Sequence, residues 1–125
     1  MGTATLKDAA VDFLKLSAAG HADHAFDRYA GTGFRHHNPY FRGDAQSLCD
    51  AMQANAAQNP DKVLQVQRTL QDGQEVAVFS RVDLRPGGPT IAVVHIFRFE
   101  GDRIAELWDI GQPVLEGGAN ENGMF

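Results

Sequence analysis

Apolar residues in the first half of the chain recur at the spacing of an α-helix. Leu6, Ala10, Phe13 and Leu14 fall on one stripe with Ser17 a turn further on, Thr5 and Asp8 are spaced as a capping box, and Gly20 marks a stop. A second short helix is expected over residues 23–29. The run Ala30-Gly31-Thr32-Gly33-Phe34-Arg35-His36-His37-Asn38-Pro39-Tyr40 breaks the helical period and reads as loop or short strand. A third helix fits residues 44–58, with Leu48, Met52 and Ala56 on its stripe and Asn59-Pro60 ending it.

From Lys62 onward the period drops to two. Strands are predicted over residues 63–70, 75–83, 90–99 and 103–111, separated by Gln71-Asp72-Gly73-Gln74, Arg85-Pro86-Gly87-Gly88-Pro89 and Glu100-Gly101-Asp102. Helices first and consecutive hairpins afterwards predict an α+β fold, with the first helix across the concave side of a strongly curved antiparallel sheet. Residues 115–125, rich in Gly and Asn, carry no periodicity.

Strand parity sorts the candidate chemistry. His95, Phe97 and Phe99 share one face of their strand, and Ala105, Leu107 and Asp109 share one face of the next. If those faces coincide, an imidazole and a carboxylate stand together among apolar groups. A carboxylate so placed can take and return a proton near neutral pH; otherwise Asp109 is a strand-end acid bonded to a backbone amide, and His95 a core histidine. Phe79, Arg81 and Asp83 share a face of an earlier strand, where Arg81 can pair with Asp83 or Asp109, and Asp83 can equally begin a solvated loop. Of the adjacent His36 and His37 only one can point inward. The other face of the 75–83 strand, carrying Val76, Val78, Ser80 and Val82, is apolar enough to need cover, and a second copy of the chain could supply it.

At 125 residues with 43% hydrophobic content, the chain is expected to form one domain over residues 1–125. A net charge of −5 with scattered Lys and Arg argues against nucleic acid or an anionic membrane as partner. The single Cys49, in a helical pattern beside Leu48 and Met52, reads as a buried inert thiol. No leader or membrane-spanning run is evident, so a cytoplasmic location is expected. The histidines lack the spacing of a zinc site, and no glycine-rich phosphate loop is present, so neither metal nor cofactor is expected.

Several blocks together resemble the SnoaL-like polyketide cyclase family. They are Arg35-His36-His37-Asn38-Pro39, then Gln71-Asp72-Gly73-Gln74-Glu75-Val76-Ala77-Val78, then the stretch from Ile91 to Leu107-Trp108-Asp109, and the closing Asn120-Glu121-Asn122-Gly123-Met124-Phe125. The resemblance implies the nuclear transport factor 2-like cone, a curved sheet closed by helices around one deep pocket, usually in a homodimer. It implies a cofactor-independent enzyme acting on an apolar carbonyl compound by aldol-type cyclisation or isomerisation through an enolate. Asp109 would be the acid/base, and His95 would hold the place of the protonated acid that donates to the enolate oxygen in ketosteroid isomerases of this fold. His37 would point inward, with His36 toward solvent, and His37 or Arg81 would orient the substrate. Asn38, Tyr40, Phe79, Asp83, Phe97 and Trp108 would line the pocket. Two departures stand out: family members commonly carry aspartate in place of His95, and histidines in place of Phe79 and Arg81. The same fold includes limonene epoxide hydrolases, whose aspartate-arginine-aspartate set Asp83, Arg81 and Asp109 resemble, with Asn38 in the place of a water-holding asparagine. It also includes binding modules without chemistry, for which an interior filled by Phe79, Phe97 and Trp108 would argue.

Overall fold

The computed structural model describes residues 5–125. Helix α1 (Leu6–Ala18) begins at the expected capping box, in which the Thr5 hydroxyl accepts from the Asp8 amide and the Asp8 carboxylate accepts from the Thr5 amide. It ends just before Gly20, whose φ of +91° favours glycine. Helix α2 (Ala22–Tyr29) follows directly, and α3 (Ala45–Gln58) starts from an Asp44 cap. The remaining elements are strands β1 (Ala30–His36), β2 (Val63–Asp72), β3 (Glu75–Asp83), β4 (Thr90–Glu100) and β5 (Arg103–Pro113).

The strands form one sheet in the order β1-β5-β4-β3-β2. Strands β2 to β5 are consecutive antiparallel hairpins, as the sequence predicts. The segment left as loop or short strand is β1, a fifth strand that pairs parallel with β5 and carries a register shift between Ala30 and Arg35. Helix α1 crosses the concave side: Phe13 meets Phe97 edge-on at 5.8 Å and Phe26 at 5.0 Å, and Phe26 packs on Phe34. No helix among the described residues is long and apolar enough to cross a membrane.

Register fixes what faces inward. Directly opposed residues share a sheet face, so the concave side is built of rows running across the strands. At the closed end, under α1, lies Val76–Phe97–Leu107–His36. Next comes Val78–His95–Asp109, then Val66–Ser80–Val93–Gly111, and at the open end Leu64–Val82–Ile91–Pro113. The expectation that Val76, Val78, Ser80 and Val82 form the outer face is therefore corrected: Val76, Val78 and Ser80 are fully buried on the inner face, and Val82 lines the cavity.

Candidate active site

Between the concave face, α1, α3 and the segment after β1 lies a cavity of about 400 Å³, within the range of small-molecule sites. Its walls are largely apolar, with Leu14 from α1, Leu48 and Met52 from α3, and Leu64, Val82 and Val93 from the sheet. His95 and Asp109 form its polar floor. They are directly opposed on β4 and β5, and His95 Nε2 stands 3.6 Å from Asp109 Oδ1. That separation is just beyond a hydrogen bond, so each group keeps its polar atom available to a ligand in the cavity above them.

Asp109 is oriented by a relay from the loop after β1. Asn38 Nδ2 donates to Asp109 Oδ2 at 2.9 Å, while Asn38 Oδ1 accepts the Tyr40 amide at 3.0 Å. The second bond fixes which end of the amide faces Asp109, because only the NH2 group can donate to a carboxylate. The Asn38 backbone N–H in turn donates to His36 Nδ1 at 3.1 Å, leaving Nε2 to carry the proton toward the Arg42 carbonyl. Pro39 restricts Asn38 to extended backbone and thereby holds this geometry.

Burial holds the His95 imidazole below its ordinary pKa, and the nearby Asp109 charge offsets this only in part. His95 is therefore neutral near pH 7 and carries a single N–H. Its Nδ1 is buried without a hydrogen-bond partner, whereas Nε2 faces Asp109. A proton on Nε2 is the one a ligand oxygen in the cavity can receive.

Of the residues singled out in the sequence, His95, Asp109, Asn38 and Tyr40 line this cavity, with Tyr40 at its exposed rim. Phe97 shares their face but lies a row deeper, sealed beneath Phe13. Phe79, Arg81 and Asp83 have the opposite parity to Val78 and Ser80 and stand on the outer face, which corrects their assignment to the pocket. There Phe79 stacks on Phe125, Arg81 covers the Phe125 ring, and Asp83 accepts from Arg81 at 3.3 Å and from Thr90. Asp83 and Arg81 thus lie across the sheet from Asp109, and the epoxide hydrolase set does not converge. Trp108, one residue from Asp109, also faces outward.

The two histidines are exchanged relative to expectation. His36 opposes Leu107 and is 5% exposed, whereas His37 turns outward, stacks on Trp108 at 4.9 Å and reaches Glu106. Two further groups have no counterpart in the sequence reading. Glu106 is buried on the outer face, and His37, Arg35 and Arg98 converge on it, holding its carboxyl at about 2, well below the usual range. Lys62, just before β2, lines the cavity's open end. Its parity with Leu64 and Val66 was the available signal, and it was obscured because the predicted strand began one residue later. Among the described residues no group of three or more His, Cys, Asp or Glu side chains is placed to hold a metal ion.

The sequence model of the SnoaL-like domain matches residues 10–107, most of the chain, ending two residues before Asp109. The chain belongs to the SnoaL-like domain family. Among solved structures, a SnoaL-like polyketide cyclase from Agrobacterium tumefaciens superposes with a TM-score of 0.70 at 16% identity, covering 88% of this chain and 93% of that one. An NTF2-like protein from Cytophaga hutchinsonii gives a TM-score of 0.71 at 19% identity, covering 90% and 96%. A cystatin-fold protein from Novosphingobium aromaticivorans gives 0.70 at 20% identity, covering 86% and 99%. At these identities the likeness is one of fold, and it establishes the nuclear transport factor 2-like cone for this SnoaL-like chain. No curated protein matches the sequence.

Proposed function

We propose that this SnoaL-like protein is a cofactor-independent enzyme that enolises an apolar carbonyl compound, leading to aldol-type cyclisation or isomerisation. The observation that carries the reading is the opposed His95–Asp109 pair on the floor of an otherwise apolar cavity, with Asn38 holding the carboxylate. Asp109 takes a proton from the carbon beside the carbonyl, and the C–H electron pair moves to make an enolate. His95 Nε2–H donates to the oxygen on which the charge develops, an interaction that strengthens as the charge grows. The enolate carbon then either attacks a second carbonyl of the same molecule, whose new alkoxide takes the proton from Asp109, or is reprotonated by Asp109 at another carbon. Neutral His95 suits the role, since a donor that keeps its proton stabilises the enolate oxygen without protonating it and leaves the proton on Asp109 as the one that is returned.

The outer face carries Phe79, Val94, Ile96, Trp108 and Ile110, with Ile110 62% exposed. A second copy of the chain packed on this face would cover it, giving a homodimer whose two cavities open away from the interface.

Deuterium uptake into the enolisable position of α-tetralone in D2O, followed by NMR, tests the chemistry. Native protein should accelerate uptake, Asp109→Asn should abolish the acceleration, and His95→Ala should reduce it by about 10- to 1000-fold. Equal uptake with native protein and Asp109→Asn would overturn the reading. Binding of the ketone without any uptake would instead support a ligand-binding module.

A further inference from the structure

The cavity has a second polar end, far from its floor. Moving outward from the His95–Asp109 row, the concave face passes through the Val93 row to Leu64–Val82–Ile91–Pro113. Four residues of strand separate the first row from the last, a distance of about 13 Å. Lys62 lies two positions beyond Leu64 with the same inward parity, and its side chain lines the opening.

Two local features hold Lys62 there. Its amide donates to the Asn59 carbonyl at 3.0 Å, in the turn that follows α3, and its amine donates to Asn55 Oδ1 at 2.5 Å. Asn55 lies on the same stripe of α3 as Leu48 and Met52, so it too faces the cavity. A lysine serving solubility alone extends its amine into water, and one serving stability pairs with an acid. Lys62 does neither: its amine is turned back against α3, burial lowers its pKa, and among the described residues no carboxylate lies within ion-pair distance. Its remaining N–H donors are free for a ligand.

We infer that Lys62, positioned by Asn55, recognises an anionic group at the far end of the ligand, and that the compounds this site accepts are apolar carbonyl compounds bearing a carboxylate. The inference rests on the reading above, in which the reacting carbonyl lies at Asp109 and His95. Charge distribution supports the orientation: among the described residues, Lys62 is the one Lys or Arg and Asp109 the one Asp or Glu on the cavity wall, at opposite ends. Asp109 repels a carboxylate from the floor and Lys62 attracts it at the mouth, so a keto acid enters carbonyl-first. A charge-assisted hydrogen bond in a partly desolvated opening is stronger than a neutral one, while a methyl ester of the same skeleton offers Lys62 only a neutral acceptor.

Calorimetric binding of δ-benzoylvalerate and of its methyl ester tests this without requiring turnover. Native protein and the Asp109→Asn variant should both bind the carboxylate about tenfold or more tighter than the ester. Lys62→Met keeps the apolar stem, and it should reduce that ratio to about one. Asn55→Asp retains the lysine but gives it a carboxylate partner of nearly the same shape, and should erase the preference as well. Equal binding of acid and ester by native protein, no binding of the acid, or a preference that survives in both variants would overturn the assignment. Because the readout is affinity, it separates the two proposals. A carboxylate preference without deuterium uptake would leave Lys62's role standing and remove the chemistry, and uptake with no preference would do the reverse.

Discussion

Replacing His95 with leucine should strengthen the fold while removing the proposed donor. His95 is 6% exposed, and its Nδ1 is buried without a partner, a condition that costs about 1–3 kcal/mol. Leucine fills a similar volume with no polar atom, and the neutral imidazole it replaces gives Asp109 little that Asn38 does not. The expected gain is about 1–2 kcal/mol near neutral pH, or about 3–8 °C in melting temperature for a chain of this size. Acid should enlarge the difference. An unfolded histidine protonates as the pH falls through 6.5, whereas burial keeps folded His95 from doing so until lower pH. The unfolded state therefore binds the extra proton first, and native protein loses up to about 1.4 kcal/mol per pH unit below that point until the folded site titrates. The leucine variant lacks this loss. Thermal and urea unfolding of both proteins, at equal concentration and at about pH 7.5 and about pH 5.5, should show the gap widening on acidification. A variant that melts at or below the native temperature at both pH values, with an unchanged gap, would refute the picture of a desolvated, neutral His95.

Glu106 makes the contrasting case. Its depressed carboxyl contributes stability that is fully present above about pH 4.5 and is lost as the pH falls toward about 2. Glu106→Gln should therefore unfold more easily at neutral pH and lose less on acidification, as urea titration at several pH values would show. On the outer face, Ile110→Asp places a charge within the proposed dimer contact. Light scattering at micromolar concentration should report a dimer for native protein and a monomer for the variant, and a native monomer would dismiss the contact.

Most of the fold could be read from the chain because its elements follow strong local rules. The capping box at Thr5 and the hairpin turns lie where spacing and turn chemistry put them. Strand parity grouped His95 with Phe97 and Asp109 with Leu107; that the two groups share one face follows from the β4–β5 register, which parity alone does not contain. The segment read as loop or short strand could not be settled locally because Ala30-Gly31-Thr32-Gly33 has no apolar alternation; it is a strand because β5 offers an edge to pair with. The facing of β3 differs from the expectation for another reason. Parity separates Val76, Val78, Ser80 and Val82 from Phe79, Arg81 and Asp83, but does not say which set is inside. The near-unbroken apolar set is the buried one, and Arg81 and Asp83 pair on the outer face. For His36 and His37 the choice depends on the long-range pairing of His36 with Leu107, which no local pattern contains.

The rows of the concave face also bear on how such a protein diversifies. His95 and Asp109 sit within long paired strands, while the mouth is assembled from strand ends and the turn before Lys62. If the proposed roles hold, lineages descending from one ancestor can therefore exchange the residues at the mouth without touching the His95–Asp109 pair. New substrates then require only alterations at the periphery, where the scaffold tolerates them best.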